Sequence, residues 1–584
     1  MESAASRDRD LASIAEARAL ARRAKQAFVE LAEYRQERID AIVEAMARAA
    51  ATHAHAFAEL AVEETGYGVV ADKVQKNLFS AERVYEFIRP MKTVGVVARF
   101  EDRRVVEIAE PFGVVAAVVP STNPTSTAIY KILISLKARC PIVLSPHPAA
   151  VTCIARVAEV MEAAARQAGA PAGAIAWMQT VTLEGTQELM RHRDVAVILA
   201  TGGMSLVRAA YSAGKPAYGV GPGNAPAYIE RTANLKKAVR DVVTGKTFDN
   251  GVLCSSENSV IVDEEVATEV RAEFQLQGGY FLSPTEADAV ARVLVTPQLL
   301  PNPACVGKPA IAIAEKCGLT VPPETRVLIA PLSGVGRDYP LSIEKLCPVL
   351  SFYVVKDWRE GCERCKEILR FGGMGHTMSI HSQNEQVILE FGLKKPAFRI
   401  VVNTPTTHGS IGLTTGLDPA MTLGCGGYGG NITSDNISPR HLLNIKRLAY
   451  EITPAVSRVE QPRTSAIESK APSGAVGSSP PAPPSVGIGA AVLGRRIDEF
   501  LAARGFNARQ AAQSPEPRSS AASAVPPLPP VAVEEPLDFV CEDDVRQAIQ
   551  GGRKLVLAER AIVTPAARDL GEQHKVFSAA PWRG

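Results

Sequence analysis

Cys254 stands in the run KTFDNGVLCSSENSVIV (246–262), where a turn at Gly251 leads into small residues and then into a strand-like apolar stretch. That is a setting for an exposed nucleophile. An unperturbed thiol ionises near pKa ~8.5, and a helix N-terminus or nearby donors lower that value and favour attack on a carbonyl carbon. Cysteine by itself decides little, because the chain has 10 of them. They are scattered from Cys140 to Cys541 without the density of a secreted disulfide framework, so they read as reduced thiols. The close pair Cys362 and Cys365 has metal-ligand or redox spacing but no second pair, and it sits in the helix-like DWREGCERCKEILR; two incidental thiols on one helix are expected, with no metal site. A second chemical feature is the strand VAVILA (195–200), which ends in Thr201-Gly202-Gly203 and opens a helix. Backbone N–H groups at such a turn point toward a pyrophosphate.

These residues need a rigid frame, and the text from about 10 to 455 supplies one. Helical periodicity (LASIAEARALARRAKQAFVELAEY) is followed by apolar strand runs alternating with helical runs, which is an α/β pattern. GVVAAVVP (113–120), PIVLSP (141–146) and VAVILA read as buried parallel strands of a doubly wound nucleotide-binding domain. The 584 residues exceed one core, so at least two domains are expected. A formal net charge of +2 without a basic stripe argues against nucleic acid or an anionic membrane as partner. The N-terminus has no apolar signal region, and no stretch reaches the ~18 apolar residues of a membrane span, so a cytoplasmic protein is expected.

Beyond 455 the composition shifts. Pro, Ser and Ala dominate 464–484 and 514–530, as in flexible linkers. Between them Val486, Ala490, Leu493, Ile497, Phe500 and Leu501 recur at helical spacing, forming one apolar stripe. Such a helix needs a partner surface, either another protein or the rest of this chain. The end of the chain, 543–577, reads as helix, strand, helix.

The runs AVEETGYGVVADKVQKN (61–77), PFGVVAAVVPSTNPTSTAIYKILISLKARCPIVLSPHP (111–148), ILATGGMSLVRAAYSAGKPAYGVGPGNAPAYI (198–229), TFDNGVLCSSENSV (247–260), EKLCPVLSFY (344–353), GGMGHT (372–377), VVNTP (401–405) and LGCGGYGGNITSDNISPRHLLNIK (423–446) resemble, in order, the CoA-acylating branch of the aldehyde dehydrogenase superfamily, as in the N-terminal half of bifunctional aldehyde/alcohol dehydrogenases. The resemblance implies that Cys254 adds to an aldehyde, that hydride passes to NAD, with NADP not excluded, and that coenzyme A takes the acyl group. It implies oxyanion donors in the Asn123 side chain and the Cys254 backbone N–H. From the residues alone Asn123-Pro124 is equally a turn. His376 is implied near the thiol, and Glu344 on the nicotinamide-side ribose. Thr201, Gly202, Gly203 and Gly221 are implied to line the cofactor site. Ser145 and His147 fall where relatives carry a lysine that holds the adenosine ribose.

Where hydrolytic aldehyde dehydrogenases carry a glutamate in Glu-Leu-Gly-Gly, this chain has Tyr218-Gly219-Val220-Gly221. Water, with pKa about 15.7, needs such a base to attack a thioester, whereas a thiol with pKa about 8.5 ionises readily and needs less help. Transfer to coenzyme A is therefore expected, with acid release as the alternative. The linker–helix–linker tail resembles encapsulation peptides of bacterial microcompartment enzymes, which implies shell or cargo partners, a location within a microcompartment and a substrate such as acetaldehyde, propionaldehyde or lactaldehyde. A non-catalytic scaffold component is the remaining alternative. The expected divisions are an NAD-binding part (1–235), a catalytic part (236–425), and a return segment with an oligomerisation extension (426–460) that builds dimers or larger. Then come a linker (461–484), the amphipathic helix (485–506), a linker (507–535) and a terminal segment (536–584).

Overall fold

The computed structural model describes residues 4–455 and 537–579. The chain divides into two compact units, 1–462 and 463–584.

In the first unit the early periodicity becomes the helix Ala4–Leu31, which buries Ala17, Ala21, Ala24, Ala27 and Leu31 at three- and four-residue steps. After further helices, β1 (Gly95–Phe100) and β2 (Val105–Pro111) form an antiparallel pair. The next five strands are β3 (Val114–Val119), β4 (Ile142–Pro146), β5 (Ile175–Trp177), β6 (Val195–Thr201) and β7 (Ala217–Val220). They form a parallel sheet in the order β5-β4-β3-β6-β7, containing all three strands expected from the sequence. Every residue of β3 and β4 is buried, as continuous apolar runs in a doubly covered sheet require. The faces alternate: Val115, Ala117 and Val119 pack with Leu133 of the helix Pro124–Lys137, while Val114, Ala116 and Val118 pack with Ala17 and Ala21. The strand order reverses between β3 and β6, which opens a crevice at their C-terminal ends.

Seven more strands follow: β8 (Ala225–Ile229), β9 (Glu257–Asp263), β10 (Gly279–Phe281), β11 (Val327–Pro331), β12 (Val349–Val355), β13 (Gly375–His381) and β14 (Ala397–Val402). They build a second parallel sheet ordered β10-β11-β12-β9-β8-β13-β14. The chain changes sheets within 221–224, ahead of the expected boundary at 235, because β8 pairs with β9 and β13 and not with β7. Finally β15 (Leu443–Ala449) returns to pair antiparallel with β2, from Leu443 opposite Pro111 to Ala449 opposite Val105. Cys362 and Cys365 lie buried on the helix Trp358–Phe371, as two thiols of a packed face.

The second unit holds β16 (Leu537–Val540), the helix Glu542–Gln550, β17 (Leu555–Val563), the helix Pro565–Gln573 and β18 (Phe577–Ala579). Both strand pairs are parallel, so the expected helix–strand–helix is a strand longer at each end. Val540, Val545, Ala548, Leu555, Ala567 and Val576 form its core. The amphipathic helix expected over 485–506 and both linkers lie outside the described residues. Among the described residues no helix is long and apolar enough to cross a membrane.

Candidate active site

The crevice at the ends of β3 and β6 holds a cavity of about 460 Å³, with residues of the first sheet on one side and Cys254 and Glu344 from the second sheet on the other. Gly203 starts the helix Met204–Tyr211 in an extended conformation, and no side chain caps the helix. A Cβ on Gly203 would meet nothing within 4 Å, so the backbone at the start of this helix borders open space. Beside it Thr201 Oγ1 is buried without a partner, and Gly202 and Gly221 complete this wall. Such donors suit a phosphate-bearing ligand. His147 lies exposed at the rim, with its Nδ1 accepting from the Ala149 N–H at 3.1 Å. Ser145 does not belong to the wall. It is fully buried and its hydroxyl is 2.8 Å from that of Thr186, which does line the cavity. Strand alternation turns position 145 into the packed layer, and the strand has ended by His147.

At the other end Cys254, just before β9, meets His376 on β13: Sγ and Nε2 are 3.2 Å apart. His376 Nδ1 lies 2.9 Å from Thr377 Oγ1, and the Arg399 Nε–H donates to the same hydroxyl at 3.4 Å. With its proton on Nδ1 and donated to Thr377, the imidazole presents Nε2 as an acceptor for the thiol. Burial, with Arg399 adding to it, lowers His376 to about 3, and burial raises Cys254 to about 12. The resting pair is therefore neutral, thiol beside imidazole. Arg399 is itself buried; it donates to Ser434 O at 2.9 Å and to Gly424 O, and so ties the 424–434 segment to β14.

Asn123 stands at the N-terminal boundary of the helix Pro124–Lys137 without a side-chain capping bond, and it lines the cavity. Glu344 accepts from the Gly223 N–H at 3.0 Å, and burial raises its carboxyl to about 8. Gly223 packs directly on the nucleophile: a Cβ there would lie 1.9 Å from the Cys254 carbonyl oxygen. Glu344 is the one carboxyl among the cavity-lining residues, and at position 220 the wall is valine.

The aldehyde dehydrogenase family profile matches residues 7–277. The chain is 49% identical to an acetylating aldehyde dehydrogenase from Geobacillus thermoglucosidasius, whose crystal structure superposes with a TM-score of 0.76 over 77% of this chain and 99% of that one. This chain belongs to the aldehyde dehydrogenase family. The bifunctional aldehyde-alcohol dehydrogenase AdhE of Escherichia coli K12 is 44% identical over 442 residues, 75% of this chain; that stretch is 50% of the relative, so this chain spans about half of its length. A propionaldehyde dehydrogenase from the Clostridium phytofermentans fucose utilisation bacterial microcompartment is 27% identical, with a TM-score of 0.67 over 75% of this chain and 98% of that one.

Of the residues singled out in the sequence, Cys254, His376, Asn123, Glu344, Thr201, Gly202, Gly203, Gly221 and His147 converge on one crevice, and Ser145 stands behind it. Thr377, Arg399 and Gly223 were not foreseen. Thr377 follows His376 directly, so the GGMGHT run held that signal.

Proposed function

We propose that this enzyme oxidises a short-chain aldehyde to its acyl-CoA through a thioester on Cys254. The observation that carries this reading is the Cys254–His376 pair at 3.2 Å on a cavity whose single carboxyl is engaged by the Gly223 N–H. As the aldehyde carbonyl carbon approaches Sγ, His376 Nε2 takes the thiol proton while the C–S bond forms. With an imidazole lowered to about 3, the imidazolium does not accumulate, so proton transfer and attack are coupled. The carbonyl oxygen becomes an alkoxide and is met by the Asn123 amide N–H and the Cys254 backbone N–H. A nicotinamide cofactor, when bound, accepts the hydride that converts the adduct to a thioester. Thr201 and the N–H groups after Gly203 suit its pyrophosphate, and Glu344 suits the ribose nearest the nicotinamide. Once the thioester has formed, His376 releases its proton to solvent; in the second half the CoA thiol attacks the acyl carbon, His376 takes its proton, and the Cys254 thiolate leaves and recovers that proton.

Water is a poor competitor, because its pKa of about 15.7 demands a base that neither valine at 220 nor a carboxyl raised to about 8 provides at neutral pH. No Lys or Arg is among the cavity-lining residues, and partial desolvation at the rim lowers the His147 pKa from its ordinary value. A 2′-phosphate finds no cation there, which favours NAD over NADP. We place the enzyme inside a protein shell, supported by the microcompartment relative and by the tail pattern. Removal of 464–584 then leaves activity in solution but releases the enzyme from purified shells, and unchanged co-purification refutes that placement. The chemistry is tested by product analysis of an aldehyde with and without coenzyme A, which must give acyl-CoA and not free acid.

A further inference from the structure

Asn123 is gripped from behind by a cation. The helix Val70–Leu78 carries Lys73 and Lys76 on one face, both buried, against Asp249 in the loop that leads to Cys254. Lys76 Nζ pairs with Asp249 Oδ2 and donates to Asn123 Oδ1 at 2.6 Å. Lys73 Nζ reaches the same carboxylate oxygen at 2.9 Å and Thr122 O at 3.3 Å. The carboxylate is fixed in turn: Oδ1 accepts from the Val69 N–H at 2.7 Å, and the Asp249 N–H donates to Asp72 Oδ2 at 2.7 Å. Asp249 holds the left-handed conformation (φ 49) that this clasp requires.

A lysine ammonium only donates, so it must face the amide oxygen of Asn123 and never the amide nitrogen. Nδ2 is thereby turned the other way, donating to Thr122 Oγ1 at 3.2 Å and lying 3.5 Å from Val252 O, both of them residues that line the cavity with Asn123. A charged donor on Oδ1 also draws electron density from the amide, and linked hydrogen bonds strengthen one another, so the Nδ2–H becomes a better donor. Burial works against a charged Lys76, and the Asp249 carboxylate works for it.

We propose that Lys76 is a positioning residue for the reaction: paired with Asp249, it fixes the orientation of the Asn123 amide and polarises it toward the developing oxyanion. This rests on the reading of Asn123 as the oxyanion donor. The clasp also joins the helix before the nucleotide-binding sheet to the Cys254 loop, so one buried ion pair sets the donor and the nucleophile relative to each other.

The test is a double-mutant cycle on the full chain, with kcat and KM for propionaldehyde at saturating NAD and CoA and a thermal midpoint for every variant. Lys76→Met lowers kcat by about tenfold to a hundredfold with little change in aldehyde KM. Lys76→Arg, which keeps the charge, recovers part of the loss. In the Asn123→Ala background Lys76→Met adds nothing further. If Lys76→Met does not fold, Lys76→Gln, a neutral donor in the same polar site, takes its place with a smaller loss. A full and additive loss in the Asn123→Ala background means that Lys76 is merely structural and overturns the proposal, as does an unchanged kcat in Lys76→Met while Asn123→Ala is slow. An unaffected Asn123→Ala enzyme overturns the oxyanion reading itself, a result distinct from either.

Discussion

Replacing His376 by Asn removes the acceptor 3.2 Å from the Cys254 sulfur and leaves a thiol whose burial raises it to about 12. Without a base the attacking thiolate must arise by simple ionisation. At pH 7 that is about one molecule in 10⁵ (12 − 7 = 5), and the fraction grows about tenfold for each pH unit up to 9. A positioned general base contributes roughly 10²–10⁴-fold, which is the loss expected at pH 7. The assay is the single-turnover NADH burst from propionaldehyde without coenzyme A, which isolates thioester formation, recorded from pH 7 to 9. In the native enzyme the imidazole titrates near 3 and the thiol near 12, so neither changes state in this window. Any contribution of Glu344, raised to about 8, affects both proteins and cancels in their ratio. The ratio of native to variant rate therefore shrinks by close to a hundredfold between pH 7 and 9. A ratio that stays constant, with the variant's thermal midpoint preserved, would refute His376 as the proton acceptor.

Gly223→Ala drives a Cβ into the Cys254 carbonyl, 1.9 Å away, so kcat falls by about 10²-fold or more, checked by steady-state assay alongside a thermal midpoint. Asp249→Ala strips the counter-ion from two buried lysines and costs about 3–5 kcal/mol, read by denaturant unfolding. Glu344 has a folded pKa raised to about 8, so the folded state holds its proton between about 4.5 and 8 where the unfolded chain releases it, and this group's contribution to stability falls as pH rises through that window. Glu344→Gln therefore gains thermal midpoint over the native enzyme at pH 8.5 but not at pH 4.5. His147→Lys places a cation at the cavity rim and raises kcat/KM for NADP relative to NAD by about tenfold, measured with both cofactors.

Much of the site was readable because its residues are local signals. Cys254 sits in a small-residue turn before a strand, Thr201-Gly202-Gly203 joins a strand to a helix, and the doubly wound sheet is written in three unbroken apolar runs. What escaped depends on tertiary contacts. Lys73 and Lys76 look like a solvated helix face in DKVQKN, and only the approach of Asp249, far along the chain, buries and pairs them. Ser145 was misplaced because a motif position says nothing of which side of a strand it faces. The change of sheets at 221–224 is marked only by the short turn Gly221-Pro222-Gly223-Asn224, which cannot be told from a turn within one domain because apolar strands flank it on both sides. β16 and β18 were missed because strands of four and three residues carry almost no periodicity.

The central claim is that the Cys254 thioester is resolved by a thiol. It is tested most directly by mass-spectrometric product analysis of propionaldehyde with NAD, with and without coenzyme A, for the native enzyme and Cys254→Ala. The account predicts propionyl-CoA and sustained NADH only with coenzyme A, a single burst without it, and neither in the variant. Sustained propionate formation without coenzyme A, or turnover by Cys254→Ala, would contradict it.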